Sequence, residues 1–201
     1  IQNTLEQNTT NMIFYEDSFV KTSFFTKEIP NWEIPIFYFD FDLQYTGFVR
    51  AGRTPTPKNL TLFYCQENDS FRKDLKSVIE KISNTKSLVI IDSLNGFFNI
   101  LEGKKDIGRL INSFLMLLVS SAKHTKSTVM VGILSRLNDE NKPILYNTGR
   151  HVIENAQFAK IQLTGSGNNT LVEALNSAEW STHSKNLEWD KTAITWSNSV
   201  M

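Results

Sequence analysis

Short, continuous runs of hydrophobic residues recur along the chain and predict buried β-strands. Each run is rich in aromatic or β-branched side chains and has the length of an ordinary strand. Continuous rather than alternating runs are typical of strands that are covered on both faces. The five runs are Met12–Tyr15, Ile36–Asp40, Leu60–Tyr64, Ser87–Ile91 and Thr128–Leu134.

Two longer segments between these runs place apolar residues at helical spacing. Ser70–Ser83 repeats apolar residues every three or four positions, and Asp69 or Ser70 is suited to cap its N-terminus. Lys104–Lys123 is the longest predicted helix. Strands that alternate with helices in this way indicate βαβ units, so we expect an α/β fold with a mostly parallel sheet flanked by helices.

The pattern changes after Tyr146, where the apolar residues begin to alternate with polar ones. Gly165–Asn169 and Asp190-Lys191 read as turns between these segments. The sequence therefore predicts a C-terminal antiparallel β-hairpin extension. Its predicted strands are Phe158–Leu163, Thr170–Ala174, Lys185–Trp189 and Thr192–Trp196.

Length and composition indicate one ordinary globular domain. The chain has 201 residues, 40% hydrophobic and 21% charged, which argues against wholesale disorder. We expect a single domain with a frayed lead-in over residues 1–11, an α/β core over 12–163 and a hairpin tail over 164–201.

Charge and cysteine content narrow the class further. Lys and Arg total 21 and Asp and Glu total 21, so net charge gives no argument for nucleic acid. The single Cys65 excludes an internal disulfide and a cysteine-rich zinc site. No uncharged apolar stretch reaches the ~20 residues of a membrane span. We expect a soluble, cytoplasmic protein without a membrane partner.

The junction after the first predicted strand retains part of a phosphate-binding motif. Against the pattern G-x-x-x-x-G-K-[ST], it keeps Lys21 and Thr22 and has Tyr15 and Val20 where the glycines would stand. In that motif, exposed N–H groups at a helix N-terminus hold the phosphates. A Lys-Thr pair at this place also fits an ordinary helix start.

The replacements weaken this motif physically. Val20 is β-branched, disfavours the positive φ that glycine adopts, and fills space that a phosphate would need. Glu16 and Asp17 add negative charge where a triphosphate would lie. Phosphate binding at this junction is therefore expected to be impaired.

Acidic residues end two of the predicted strands. The second strand is followed by Asp42 in the sequence FYFDFD, and the fourth ends with Asp92 in LVIIDSL. The latter has the pattern of a Walker B strand, whose Asp orients Mg²⁺ through water. An apolar strand ending in Asp-Ser is also a common β-to-α turn, so both interpretations stay open.

These pieces together resemble the RecA superfamily, in particular its archaeal RadA-like and KaiC-like branch. The resemblance covers roughly residues 12–163 and includes NTGRH at 147–151, where the family has a Gly-Gly-His/Asn segment. The sequence LVIIDSLN is also similar to the Elongator accessory subunits. Those are RecA folds without an ordinary phosphate loop that assemble as a hexameric ring and bind tRNA.

The resemblance implies roles for individual residues. Lys21 and Thr22 take the phosphate and Mg²⁺ positions, and Asp92 takes that of the Walker B acid. Asp42 takes the position of the Glu that activates the attacking water. Arg150-His151 lies where the family closes its loop for DNA or nucleotide contact.

Several departures from the family pattern predict that hydrolysis is lost. Both glycines are replaced, and Asp42 is one methylene shorter than the family's Glu. The family's Gln that senses the γ-phosphate falls on Ile133 or Leu134. We therefore expect a pseudo-ATPase that keeps the RecA scaffold and acts in assembly, in regulation or in nucleic-acid binding. It is expected to need no cofactor, with ATP and Mg²⁺ bound only if the altered site still holds them.

Two alternatives stay open. One is a slow ATPase of recombination or KaiC-like signalling type that uses Lys21, Thr22 and Asp92. The other is an Elongator-like tRNA-binding ring subunit. In each case the expected partners are copies of this chain or paralogous RecA-like subunits, in a ring or filament.

A loop after the second strand combines basic and aromatic residues. Arg50, Arg53 and Lys58 follow Tyr45 and Phe48. This combination predicts a nucleic-acid or subunit-interface surface. An ordinary solvated loop is the alternative.

Overall fold

The structure, a computed structural model, describes residues 1–65, 68–103, 105–137, 143–145, 158–166 and 169–175. The helices are α1 (Gln2–Glu6), α2 (Ser18–Glu28), α3 (Gln44–Arg50), α4 (Asn68–Ile82), α5 (Leu94–Ile100) and α6 (Ile107–Thr125), with a 3-10 turn at Ile29–Asn31. The strands are β1 (Thr10–Tyr15), β2 (Ile36–Asp40), β3 (Leu60–Tyr64), β4 (Leu88–Asp92), β5 (Thr128–Leu137), β6 (Pro143–Leu145), β7 (Ala159–Ser166) and β8 (Asn169–Leu175).

Seven of these strands form one twisted sheet in the order β3-β2-β4-β5-β1-β7-β8. Every neighbouring pair from β3 to β7 is parallel, and β7 and β8 form an antiparallel hairpin. The short β6 pairs with the end of β5 in antiparallel fashion. Parallel neighbours need crossover connections, which the helices supply. The expected mostly parallel α/β sheet with an antiparallel C-terminal hairpin is confirmed.

Helices cover both faces of the sheet and create two hydrophobic cores. The first core packs α1, α2 and α3 against one face and includes Phe25 and Trp32. The second packs α4, α5 and α6 against the other and includes Phe97 and Leu118. Because both faces are covered, β4 is buried along its whole length, which explains its continuous apolar sequence.

The five predicted strands all form. The bounds of β2 and β3 match the prediction, while β4 starts one residue later and β5 runs on to Leu137. The two predicted long helices also form, as α4 and α6. The helix α6 begins at Ile107, three residues after the predicted start, because Asp106 takes a left-handed conformation with φ of 56°.

The expectation of a frayed lead-in over residues 1–11 is wrong. Residues 2–6 form α1, and Leu5 is fully buried in the core on the α2 face. The side-chain amide of Asn11 donates a hydrogen bond of 3.0 Å to the Leu5 carbonyl. One apolar anchor and this bond fix a segment whose polar composition suggested disorder.

The predicted tail is described only in part. The strands near 158–163 and 170–174 are present as β7 and β8, which pair from Lys160 with Leu175 to Ser166 with Asn169. The predicted strands Lys185–Trp189 and Thr192–Trp196, with their turn, lie outside the described residues. Within the ranges that the structure describes, none of the helices combines the length and the apolarity needed to cross a bilayer.

Parallel pairing brings the ends of β1, β2 and β4 to one edge of the sheet. Asp40 on β2 and Asp92 on β4 are direct partners in register. The residues after β1 lead into α2, and those after β2 lead into α3. This edge is where open α/β sheets place their ligand sites.

Candidate functional site

The connection from β1 to α2 is very short. Only Glu16 and Asp17 separate the strand from the helix, which begins at Ser18. The Asp17 carboxylate caps the helix by accepting the Phe19 N–H at 2.6 Å, and the Lys21 N–H donates to the Asp17 carbonyl at 3.2 Å. The Phe19 amide, one of those that a phosphate loop would present, is thus used by the chain itself.

Val20 fills space beside this helix start. It packs against the core on the α2 face. A Cβ added to Gly165 of β7 would lie only 3.1 Å from its Cγ2. The Val20 side chain therefore packs directly against the β7 backbone at Gly165. A larger residue at 165 would displace the Val20 side chain.

Lys21 points into the sheet edge and is fully buried. Its Nζ lies 3.0 Å from Asp42 Oδ2 and forms a closer ion pair with Asp92 Oδ1. It also lies 5.0 Å from the centre of the Tyr15 ring. The ammonium is therefore held between two carboxylates and over an aromatic face, without access to solvent.

Asp92 is the centre of this network and is fully buried. The Tyr38 hydroxyl donates to its Oδ2, while Lys21 contacts its Oδ1. Burial raises the pKa of Asp92 to about 6, and the attraction of Lys21 and the Tyr38 hydrogen bond oppose the rise. Both oxygens of the predicted Walker B acid are thus occupied by residues of the chain.

The charge of Lys21 is stabilised in spite of its burial. Burial by itself would lower its pKa, but the negative charges of Asp92 and Asp42 outweigh this effect and raise the pKa above its usual value. Burial also raises the pKa of Tyr15 to about 12, so the ring keeps its proton beside the ammonium.

Two further acids lie at the end of β2. Asp40 is buried, and its Oδ2 accepts the Thr46 N–H at 2.7 Å, which ties the strand to α3. Burial raises the pKa of Asp40. The Asp42 side chain is 26% exposed, whereas the side chains of Lys21 and Asp92 are fully buried. Asp42 is therefore the member of this ion-pair network that solvent reaches.

Thr22 is placed close to the other predicted site residues but is engaged elsewhere. Its hydroxyl lies 2.8 Å from the Ser18 carbonyl, to which it donates, and 3.0 Å from Gln44 Oε1. It is 1% exposed. A magnesium ion could reach this oxygen only if α2 and α3 separated.

The positions expected to carry a γ-phosphate sensor are apolar and packed. Ile133 is buried in the core on the α4–α6 face. The Leu134 N–H donates to Asn95 Oδ1 at 3.1 Å, and the Ser135 hydroxyl lies 3.3 Å from the Tyr15 carbonyl. These contacts join β5 to α5 and β1.

The structure separates the predicted basic residues from the buried network. Arg50 ends α3, and Arg53 and Lys58 lie in the loop that follows; all three are exposed. Tyr45, which the sequence placed with them, belongs to α3, and its side chain is buried in the core on the α2 face. Arg150-His151 lies outside the described residues.

Tyr38 and Gln44 are site residues that the motifs did not reveal. Tyr38 and Asp40 are two positions apart on β2 and therefore point to the same face of the sheet, the face that α2 covers. This alternation along β2 could have identified Tyr38 from the sequence. Gln44 belongs to no motif, and only the packing of α3 beside α2 brings it to Thr22.

Asp92 gives the stability a pH dependence of definite sign. Its folded pKa of about 6 exceeds the ordinary 3.8, so the folded chain binds a proton in this window that the unfolded chain has released. The free energy of unfolding should therefore fall as the pH rises from about 4 to about 6, relative to Asp92→Asn. Urea denaturation at several pH values measures this difference; a difference that stays flat or grows with pH would contradict the raised pKa.

Two solved structures share this architecture. A RadB recombinase aligns with a TM-score of 0.53 at 15% identity, covering 83% of this chain and 80% of its own. A DnaB-like replicative helicase aligns with a TM-score of 0.55 at 13% identity over 85% of this chain. The aligned region is 54% of the helicase chain, so this chain spans about half of it.

No protein-family model matches the sequence, and no curated protein sequence matches it either. The identities to the solved structures are low, so these likenesses speak for the fold alone. The recombinase and the helicase both align with more than four fifths of this chain. The chain has a RecA-like fold.

Proposed function

We propose that this protein is a RecA-like scaffold that neither holds nor hydrolyses ATP and acts in assembly or regulation. One observation carries the proposal: the lysine at the phosphate position is buried and paired with Asp42 and Asp92. The ion pairs give Lys21 a structural role within the chain. The protein would then act by binding partners on its surface and not through a nucleotide.

Releasing Lys21 to a nucleotide would be costly. Both carboxylates would lose their counter-charge, and a triphosphate would bring further negative charge towards Asp42 and Asp92. Breaking a buried ion pair costs about 3–5 kcal/mol, which is roughly two to four powers of ten in affinity. A phosphate would gain few hydrogen bonds from the N-terminus of α2 to offset this cost, because Asp17 already caps that helix.

The capped helix start supports the same proposal. Anions bind at helix N-termini through free N–H groups. Here the Asp17 carboxylate accepts the Phe19 N–H, and Glu16 is exposed beside it. A phosphate would have to displace one carboxylate and approach a second.

The residue at the catalytic-acid position is also engaged. Asp42 Oδ2 is an acceptor for Lys21 Nζ at 3.0 Å. A carboxylate oxygen that accepts a hydrogen bond from an ammonium is not free at the same time to take a proton from an attacking water. Hydrolysis would therefore lack its base for as long as Lys21 stays paired with Asp42.

Calorimetric titration of Mg-ATP into the protein tests this proposal. We expect no heat beyond dilution at millimolar ATP, for the wild type and for Lys86→Ala alike, since Lys86 pairs on the surface with Glu6. Micromolar binding that Lys21→Ala abolishes and Lys86→Ala preserves would contradict the proposal. It would favour instead a slow ATPase that uses Lys21, Thr22 and Asp92.

A further inference from the structure

An exposed group of aromatic and arginine side chains lies outside the buried network. We call it the arginine–aromatic surface and define it by Phe19, Phe48, Arg50, Arg53 and Tyr64. It runs from the first turn of α2 across α3 and its following loop to the end of β3. Phe19 is 60% exposed and Tyr64 51%, which is high for side chains of this size.

The two arginines of this surface are each stacked on an aromatic ring. Arg50 Cζ lies 5.4 Å from the centre of Tyr64, and Arg53 Cζ lies 5.9 Å from that of Phe48. Among the described residues, neither has a carboxylate within 4.0 Å. Stacking holds each guanidinium in place while its hydrogen-bonding edge stays available, which reduces the entropy lost on binding a carboxylate.

The apolar part of the surface is next to the arginines. Phe19 packs edge-on against Phe48, with ring centres 5.5 Å apart and an angle of 64°. The exposed part of Phe19 is paired with no other ring among those that the structure describes. Aromatic side chains and arginine are the residue types enriched at the centres of protein interfaces.

We propose that the arginine–aromatic surface docks an acidic peptide segment of a partner protein that also carries an aromatic or aliphatic anchor. Carboxylates of the segment would pair with Arg50 and Arg53, and the anchor would cover Phe19 and Phe48. This inference goes beyond the scaffold role, because it states which surface acts and which chemistry it recognises. It does not depend on whether nucleotide binds.

Charge complementarity favours a peptide over nucleic acid here. The surface and the loop after α3 carry three exposed cations, Arg50, Arg53 and Lys58. Glu16 and Asp17, directly before Phe19 in the chain, are exposed as well. A nucleic acid carries a phosphate at every residue and would meet these carboxylates, whereas a peptide can place its acidic residues at one end and its anchor at the other.

Selection from a displayed library of random peptides, with the whole protein as target, tests the proposal. We expect enrichment of peptides in which Asp or Glu lies near an aromatic or leucine residue. A synthetic copy of the most enriched peptide should bind roughly tenfold or more weakly to Arg50→Ala/Arg53→Ala and to Phe19→Ala. These side chains are exposed, so the variants should fold as the wild type does.

Matched controls come from the opposite face of the sheet. Arg109 and Met116 are exposed residues of α6, which packs on the other core. Arg109→Ala and Met116→Ala should leave the affinity for the selected peptide unchanged.

Three results would overturn the proposal. One is a selection without enrichment of acidic peptides, and another is peptide binding that the surface variants do not weaken. The third is tight binding of labelled oligo(dT) or oligo(U) that Arg50→Ala/Arg53→Ala abolishes, which would identify a nucleic-acid surface. None of these depends on the Mg-ATP titration, so this proposal and the scaffold proposal can fail separately.

Discussion

Replacing Lys21 with methionine is expected to lower the free energy of unfolding by about 3–5 kcal/mol. The change keeps the length of the side chain but removes the charge between Asp42 and Asp92. Asp92 is fully buried and would keep only the hydrogen bond from Tyr38. Urea denaturation of both proteins at neutral pH measures the loss.

The matched control is Lys86→Met. Lys86 forms an ion pair of 2.8 Å with Glu6, but its side chain is 43% exposed and solvent screens the pair. The loss there should be below about 1 kcal/mol. Adding Asp92→Asn to Lys21→Met should recover part of the larger loss, because it removes one of the unpaired charges. Equal, small losses for both lysines would contradict a structural role for Lys21.

Gly96→Ala is expected to lower the free energy of unfolding by about 1–3 kcal/mol, the usual cost of adding volume to a packed core. A Cβ at this position would overlap Asp42 Oδ1 and lie 2.7 Å from Phe41 Cβ. Phe41 is buried in the core, and Asp42 is held by Lys21, so neither can move without losing contacts. Thermal and urea denaturation both report this change.

Gly108→Ala is the matched control. Gly108 lies in α6, and a Cβ there would meet nothing within 4 Å. Alanine should therefore stabilise the protein by about 0.5–1 kcal/mol through its better helix propensity. A loss at Gly108 as large as that at Gly96 would mean that the close approach to Asp42 is not the cause.

The central strands were predictable because their environment leaves a clear trace in the sequence. Strands covered on both faces must be apolar throughout, as β4 is. The short helices α3 and α5 were not predicted, since each has only seven residues, one of them glycine, and little helical propensity of its own. Packing forms α5, where Phe97 and Phe98 enter the core.

Some of the residues that meet at this edge of the sheet could be named from the sequence, but their contacts could not. Motif spacing identified Lys21, Thr22 and Asp92, and the FYFDFD sequence identified Asp42. Which charges neutralise one another depends on the ends of β1, β2 and β4 meeting at one edge of the sheet, and on a connection of two residues before α2. The pattern G-x-x-x-x-G-K-[ST] accepts any residue between its glycines, so it could not predict the short connection from β1 to α2.

The RecA-like fold and the proposed loss of nucleotide chemistry rest on different grounds. The fold follows from sheet order and from likeness to solved structures at 15% and 13% identity. One fold hosts many activities, so function has to be argued from the site. In this chain, the carboxylates of Asp42 and Asp92 hold Lys21, the group that would otherwise meet a phosphate.

Urea unfolding of the wild type and of Lys21→Met, each with and without saturating Mg-ATP, tests directly whether Lys21 serves the fold or a phosphate. A ligand present at 100 times its dissociation constant would stabilise the folded state by about 2.7 kcal/mol. We predict a large loss of stability in Lys21→Met and no effect of Mg-ATP on either protein. A small loss in Lys21→Met, together with stabilisation of the wild type alone by Mg-ATP, would contradict the proposal and assign Lys21 to phosphate binding.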